Sequence, residues 1–399
     1  MGVMRRGFVL PVILIIILVI GALFILVWTR RSGTNINKDI ESVTELPIKP
    51  QGNANSAPSD VDIPTVSIVA TGLDTPWAIA FLPGGGLLVT ERQGSVRLVD
   101  TNGHLQEKPV AEISNVREIG EGGLLGIALH PDFLTNNFVY FYYTYSESGG
   151  NTLNRVVRMV YKNGQLTEER IMVDGIPGAA NHNGGRIKFG PDKMLYITTG
   201  DAQNPSSAQD KNSLSGKILR VDSDGNPAFG NPYGNRTYSF GHRNPQGIIW
   251  DKDGSLWETE HGPSGAETGN DEFNRIDIGK NYGWPEIRGK EGREGMVTPN
   301  LESGRSDTWA PSGLASLPTQ TGLSSRFYFA GLRGEALYEV NVVGNSASLK
   351  THFKGEYGRI REVILGPDNM LYISTSNRDG RGDPKPGDDK ILRINPSKL

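Results

Sequence analysis

Two segments carry residues able to move a proton. Asn181-His-Asn-Gly-Gly-Arg186 sets His182 among glycines, and Asp201 ends Thr198-Thr-Gly-Asp. An imidazole on such a loop serves as a general base near neutral pH. A carboxylate beside it would orient the ring and stabilise its charged form. Each residue also has a plainer reading. A lone loop histidine is more often merely hydrogen-bonded, and an aspartate at a strand end caps a turn.

Other groupings suit an oxygen-rich anion and a hard cation. Gly241-His-Arg-Asn-Pro-Gln-Gly247 gathers His242, Arg243, Asn244 and Gln246 between two apolar runs. Planar polar groups of this kind bind oxygen-rich ligands. Arg333 precedes Gly334 in a weakly patterned stretch. Arg359 and Arg361 are two apart, so on an extended strand they point the same way. Two guanidiniums on one face repel unless an anion or carboxylates lie between them; the alternative is a solvated pair on an outer strand. Glu260-His-Gly-Pro263 leads to Asp271 and Glu272. Carboxylates, glycines and exposed carbonyls suit a hard cation, although the spacing is not that of an EF-hand and a tight loop would need the same glycines.

These residues need a scaffold that brings loops to one place. The chain has 399 residues, with 51 Gly and 24 Pro spread along it, 37% hydrophobic and 21% charged. Gly and Pro then read as turns between many short strands. Net charge is -3, which removes the electrostatic ground for nucleic-acid binding. Cysteine is absent, so disulfides, zinc–thiolate sites and a Cys nucleophile are excluded.

A repeated pattern supplies the scaffold. An apolar strand meets a Pro-Asp, Asp-Gly or Gly-rich turn, then a second apolar strand, most often ending in Thr or Ser. Copies start at Trp77, Leu125, Arg186, Gly247 and Glu362, spaced roughly 45–65 residues apart, a period of solenoids and propellers. Phe327-Tyr-Phe-Ala with Leu337-Tyr-Glu-Val fits a degenerate sixth copy. A strand with an alternating Arg or Leu pattern often closes the unit, as in Val96-Arg-Leu-Val, Ile218-Leu-Arg-Val and Ile391-Leu-Arg-Ile. The pattern predicts an all-β fold, a six-bladed β-propeller of four-stranded antiparallel blades over residues 65–399. Val66-Ser-Ile-Val-Ala is expected to pair into the last blade and close the ring. Two separate β-sandwiches would not need the same turn in every unit.

The start of the chain differs. Phe8 to Trp28 holds no charged residue; a run of about 20 apolar residues spans a bilayer as a helix. No small-x-small cleavage site follows it. Residues 1–31 are therefore expected to be an uncleaved transmembrane anchor and 32–64 a flexible linker. Arg5 and Arg6 on one side balance Arg30 and Arg31 on the other, so flanking charge does not set the orientation.

Leu124-Leu-Gly-Ile-Ala-Leu-His-Pro-Asp-Phe133, Gly241-His-Arg-Asn-Pro-Gln-Gly247, Glu260-His-Gly-Pro263 and Asn281-Tyr-Gly-Trp-Pro285 occur in that order. Together they resemble the glucose/sorbosone dehydrogenase family, sugar dehydrogenases that use pyrroloquinoline quinone (PQQ). The resemblance runs from about Val66 to Ile394. It implies a calcium- and PQQ-dependent oxidation of the C1 hydroxyl of an aldose to the lactone, with an external quinone or cytochrome as electron acceptor. His182 matches the general base and Asp201 its hydrogen-bond partner. Arg243 matches the residue at the quinone oxygens, and Asn244, Arg359 and Arg361 match further cofactor contacts. Gly262 and Pro263 match the carbonyl ligands of the catalytic calcium; Asp271, Glu272 and Tyr282 resemble a second calcium site. Glu121 stands where glucose-oxidising members have a Gln that contacts sugar and cofactor, and Arg333 where they have a Lys; both are expected among the cofactor contacts, and Asn181 replaces an Asp. Trp309 loosely matches an aromatic sugar contact. Relatives work outside the cytoplasmic membrane, which implies an extracytoplasmic body on a single-pass anchor. Two rivals stand beside this reading: a calcium-dependent lactonase propeller with inward Glu, Asn and Asp ligands, and an anchored carbohydrate-binding propeller without catalysis.

Overall fold

The computed structural model describes residues 63–147, 149–263, 269–318 and 324–399. The expected anchor, nearly all of the linker, and Ser264 to Thr268 lie outside the described residues. Among the described residues no helix is long and apolar enough to cross a membrane.

The described body consists of six four-stranded antiparallel sheets. The first strand, β1 (Val66–Thr71), pairs with β24 (Lys390–Ile394) and so completes the last blade, as expected. The innermost strands are β2 (Pro76–Phe81), β6 (Leu124–Leu129), β10 (Ile187–Phe189), β14 (Pro245–Trp250), β18 (Pro311–Leu317) and β22 (Ile360–Leu365). Each neighbours the next and β22 neighbours β2, so the ring closes around a central channel.

The side chains of the repeat have defined jobs. In the third blade the turn residue Asp192 accepts from the Tyr196 hydroxyl at 3.1 Å and from Arg220 Nε at 2.8 Å. In the last blade Asp368 accepts from Tyr372 at 3.1 Å and from Arg393 Nε at 2.7 Å. The Asp of the first turn, the Tyr of the second strand and the Arg of the third thus form one staple. The second-strand threonine joins blades: Thr90 Oγ1 donates to the Leu125 carbonyl at 2.6 Å, and Thr259 Oγ1 to that of Ser312 at 3.0 Å.

The weakest copy is displaced by one strand. Phe327 lies on β19 (Ser324–Gly331) and Leu337 on β20 (Ala336–Val343), the second and third strands of their blade. The first is β18, whose Pro311-Ser-Gly-Leu-Ala-Ser-Leu is too rich in small residues to show an apolar alternation. The Arg-bearing strands are likewise third in their blades, each covered by a fourth.

Bulges at the start of the inner strands matter most for function. Ladder pairing skips Trp77 in β2, Gln246 in β14 and Arg361 in β22. A bulge breaks the two-residue alternation and re-aims the extra side chain. The skipped residues meet one another. Arg361 Nη1 donates to Gln246 Oε1 at 2.7 Å, and the Arg361 guanidinium lies 5.6 Å from the Trp77 ring centroid. The apolar core lies between the blades, with Tyr140 to Tyr143 of β7 (Phe138–Ser146) fully buried in the largest cluster.

Candidate active site

All inner strands start at the same end of the channel, and the loops that precede them converge there. They surround a cavity of about 500 Å³ whose wall includes Glu121, His182, Arg243, Gly262, Pro263 and Arg333, with Arg359, Arg361 and Arg381. That volume is in the range of small-molecule and cofactor sites.

His182 Nδ1 and Asp201 Oδ1 are 2.8 Å apart. The Asp201 side chain is fully buried, and that of His182 is 17% exposed, towards the cavity it lines. With Nδ1 engaged, the other ring nitrogen, Nε2, is left for a ligand. Asp201 is itself held: Oδ1 accepts from the Gln203 amide at 2.8 Å, and Oδ2 from the Trp284 indole at 2.8 Å. The backbone is strained here, with His182 at φ 62°, Ala202 at 51° and Gln203 at 62°. Left-handed non-glycine residues clustered this way are a mark of functional sites. Gly200 fits because a Cβ there would stand 2.0 Å from the His182 carbonyl oxygen.

The cationic wall is built next to this pair. The Asp201 amide donates to the Arg243 carbonyl at 2.8 Å, joining the two loops. Arg243 Nη1 donates to the His261 carbonyl at 3.2 Å. Arg359 is paired with Asp379 at 2.8 Å, and burial pushes Arg361 down to about 9. Both line the cavity, although the bulge at Arg361 removes the simple alternation on which the sequence argument rested. Arg333 is exposed and has no hydrogen-bond or ion-pair partner among the described residues.

Glu121 meets the cavity's other side. Its Oε2 accepts from the His182 amide at 3.2 Å, and Oε1 from Arg381 Nη1 at 2.7 Å. Arg381 also donates to Asn181 Oδ1 at 2.9 Å. Burial opposes the Glu121 charge, but His261, Arg381 and the His182 amide outweigh it and hold the carboxyl at about 2. Burial pulls His261 down to about 4, so near pH 7 Arg381 is the operative cation. The carboxylate at position 121 is therefore offset by an arginine within the protein.

The remaining predicted residues stand behind the wall. Asn244 is fully buried and accepts from the Gly184 amide at 3.0 Å, fixing the His182 loop rather than facing the cavity. Asp271 accepts from the Gly262 amide at 2.9 Å, the Thr308 hydroxyl at 3.0 Å, and the Trp309 and Ala310 amides at 2.6 and 2.9 Å. Its carboxylate thus shapes the Gly262 loop. Glu272 accepts from the Gly289 amide and from Asn274 Nδ2, each at 3.0 Å. The Tyr282 hydroxyl bridges Asp277 and Arg275 backbone. These three side chains form no shared open ligand set. Trp309 is buried against Phe329 and Tyr338, so the expected aromatic sugar contact is not made from the cavity wall. A different group does converge: His242, Glu258 and Glu260 have ligand atoms within 4.8 Å of one another, sealed between blades.

The site suits the cofactor that the sequence motifs implied. PQQ is a planar tricarboxylate, and five arginines line the cavity. Buried polar atoms nearby have no hydrogen-bond partner among the described residues: Arg361 Nε, Asn244 Nδ2 and His261 Nε2. Gly262 and Pro263 line the same cavity, and among the described residues no donor reaches their carbonyl oxygens. Unclaimed carbonyls are what a hard cation needs.

Sequence reasoning passed over Trp284, Arg381, Asp379 and His261 as site residues. Asp379 and Arg381 fall in a charged loop that reads as solvated. His261 was visible in Glu260-His-Gly-Pro263, and Trp284 in Asn281-Tyr-Gly-Trp-Pro285, but nothing in either motif says which partner the side chain meets.

The Glucose / Sorbosone dehydrogenase family model matches residues 73–392. The PQQ-bound aldose sugar dehydrogenase of Streptomyces coelicolor is 44% identical, with a TM-score of 0.75 over 82% of this chain and 97% of that one. The aldose sugar dehydrogenase of Escherichia coli is 30% identical over 86% of this chain and 94% of its own length. Quinoprotein glucose dehydrogenase B of Acinetobacter calcoaceticus is 29% identical over 66% of this chain and 60% of its own.

Proposed function

The chain belongs to the glucose/sorbosone dehydrogenase family, and from that premise we propose that it oxidises the C1 hydroxyl of an aldose to the lactone with PQQ and calcium. When bound, PQQ supplies the two-electron acceptor and calcium the Lewis acid that polarises it. The protein supplies the base, the orientation and the charge.

His182 Nε2 takes the proton of the C1 hydroxyl. Asp201 accepts from Nδ1–H, fixes the tautomer that leaves Nε2 free, and stabilises the imidazolium that forms. Trp284 keeps the Asp201 carboxylate from turning away. Arg243 would meet the oxygens of the cofactor on which negative charge develops. Arg359, Arg361 and Arg333 would hold its carboxylates, and the Gly262 and Pro263 carbonyls would hold the cation. Glu121 and Arg381 meet the sugar at the cavity mouth.

The observation that carries this reading is the His182–Asp201–Trp284 chain on the wall of a cavity that also holds five arginines. A lactonase would need Glu, Asn and Asp side chains gripping a cation in the channel, and this wall is cationic. The proposal extends to the whole chain as a single-pass cell-membrane protein with an extracytoplasmic body that passes electrons to a quinone or cytochrome.

The test is direct. Full-length protein is supplied with PQQ and calcium, and dye reduction is followed with a panel of aldoses. Dye reduction that requires both additions supports the proposal; PQQ that neither binds nor supports turnover overturns it.

A further inference from the structure

The channel has a second cavity at its other end. Its volume is about 530 Å³, and it shares no wall residue with the arginine cavity. The two are separated by side chains from the start of the inner strands. Arg186 forms a buried ion pair with Glu362, and its Nε donates to the Gln246 carbonyl at 2.9 Å.

The far cavity is lined by the last residues of the inner strands. Phe81, Leu129, Phe189, Trp250 and Leu365 come from five different blades, backed by Ile127. Into this apolar ring β10 sends Lys188. Burial in the channel pulls the Lys188 amine down to about 8. The nearest charges that act on it are Glu362 and Arg186, and these already satisfy each other. Asp251, also on the wall, accepts from the Asp253 and Ser255 amides and from the Trp257 indole. Among the described residues Lys188 has no hydrogen bond and no ion-pair partner within 4.0 Å, and it is half-buried on the cavity wall. A cation in largely apolar surroundings favours a ligand that brings the matching anion.

We infer that this far mouth is a second binding site, for a small apolar organic acid whose carboxylate meets the Lys188 amine and whose body lies against the aliphatic and aromatic ring. Lys252, Asp251 and Ser316 also line this mouth; a mostly apolar wall with a few polar groups is the usual form of a small-molecule site. The inference does not depend on the redox reading, because the two cavities share no residue.

The full chain in lipid nanodiscs, loaded with PQQ and calcium so that the arginine cavity is filled, is titrated by calorimetry with 4-phenylbutanoate and with its neutral isostere 4-phenylbutanamide. Empty nanodiscs supply the blank. The acid is expected to bind about tenfold or more tightly than the amide, the effect of one charge-assisted hydrogen bond. Lys188→Met should remove that preference while leaving aldose oxidation and PQQ binding unchanged. Ile127→Trp, which fills the cavity, should remove binding of both probes. Equal affinity for acid and amide, undiminished acid binding in Lys188→Met, or no binding of either probe at millimolar concentration would each overturn the inference. Melting temperature of each variant separates a lost site from a lost fold.

Discussion

Two imidazole–carboxylate pairs stand on neighbouring loops, and they differ in what surrounds them. His182 and Asp201 are 2.8 Å apart, with the imidazole open to the arginine cavity. His242 and Glu260 are 3.2 Å apart, with the imidazole fully buried, its Nε2 against Ser239 Oγ at 2.9 Å and its face stacked on Tyr282. Both nitrogens of His242 are occupied, whereas His182 has one to offer. Burial pushes His242 down to about 3 and Glu260 up to about 8, so both are neutral near pH 7. Sealed from the cavity, with both ring nitrogens engaged, such a pair can hold a loop but has no ring nitrogen to offer a ligand. Sequence places the two histidines in equally suggestive Gly-rich motifs; only the partner of the second ring nitrogen separates base from strut.

The largest expected effect tests that separation. His182→Ala should lower kcat by roughly 10²–10⁴-fold, the usual loss of a general base, with PQQ still bound and melting temperature unchanged. His242→Ala should do the reverse, costing about 2–4 kcal/mol of stability by leaving buried partners unpaired while surviving folded protein keeps most of its turnover. Calorimetric melting and single-turnover rates on both variants check this. If His242→Ala abolished chemistry without destabilising, the two pairs would have to exchange roles.

Asp201→Asn comes next. Asn offers an amide that can present its donor to Nδ1, which reverses the tautomer and turns Nε2–H towards the substrate. Turnover should fall by roughly a hundredfold or more, with KM for the sugar little changed. A steady-state kcat and KM pair is sufficient; a loss confined to KM would make Asp201 a binding residue.

The sealed pair makes a prediction in pH. Glu260 has a folded pKa of about 8 against an ordinary 4.5, so the folded protein keeps a proton that the unfolded chain sheds. Its contribution is present below about 4.5 and lost as pH rises through 8. His242 runs oppositely, at about 3 folded against 6.5, so its contribution is lost as pH falls below 6.5 towards 3. The two slopes cancel between those ordinary values, and the pair favours folding most there. From pH 6.5 to 8 stability should decline by about 1 kcal/mol per unit, and Glu260→Gln should flatten that decline. Urea denaturation at three pH values measures it; an unchanged slope in the variant would show Glu260 ionised in the folded protein.

How much of this was legible beforehand follows from what each feature depends on. The ring was legible because the blades repeat one strand–turn–strand pattern, and two of them a whole staple: Asp192, Tyr196 and Arg220 recur as Asp368, Tyr372 and Arg393, and strand β1 closes the last blade as expected. The blade built on β18 was misread by one strand because small residues carry no alternation. The His182–Asp201 pair was legible as types and spacing. Its surroundings were not, because they come from far along the chain: Arg381 reaches Glu121 across 260 positions and Arg186 reaches Glu362 across 176. The bulges that aim Gln246 and Arg361 inward have no residue signature of their own. Asn244, Asp271 and Glu272 were expected as cofactor and calcium contacts; their side chains accept from the Gly184, Gly262 and Gly289 amides and so fix loops.

The smallest expected effect sharpens the comparison most finely. Trp284 is the element that the sealed pair lacks: its indole donates to Asp201 Oδ2 at 2.8 Å and fixes the carboxylate from the side opposite His182. The ring also lies 5.4 Å from the Arg243 guanidinium, so it braces both the base and the cationic wall. Trp284→Phe keeps most of that packing and deletes one hydrogen bond, worth about 1 kcal/mol. If the indole only fills space, kcat stays as it was. If it orients Asp201, kcat falls by roughly three- to tenfold, the size of one hydrogen bond, at unchanged KM and PQQ affinity. Steady-state kcat and KM of this variant, set beside its melting temperature, decide between packing and orientation: a loss of kcat at unchanged KM and unchanged melting temperature assigns the indole to orienting Asp201, and an unchanged kcat assigns it to packing.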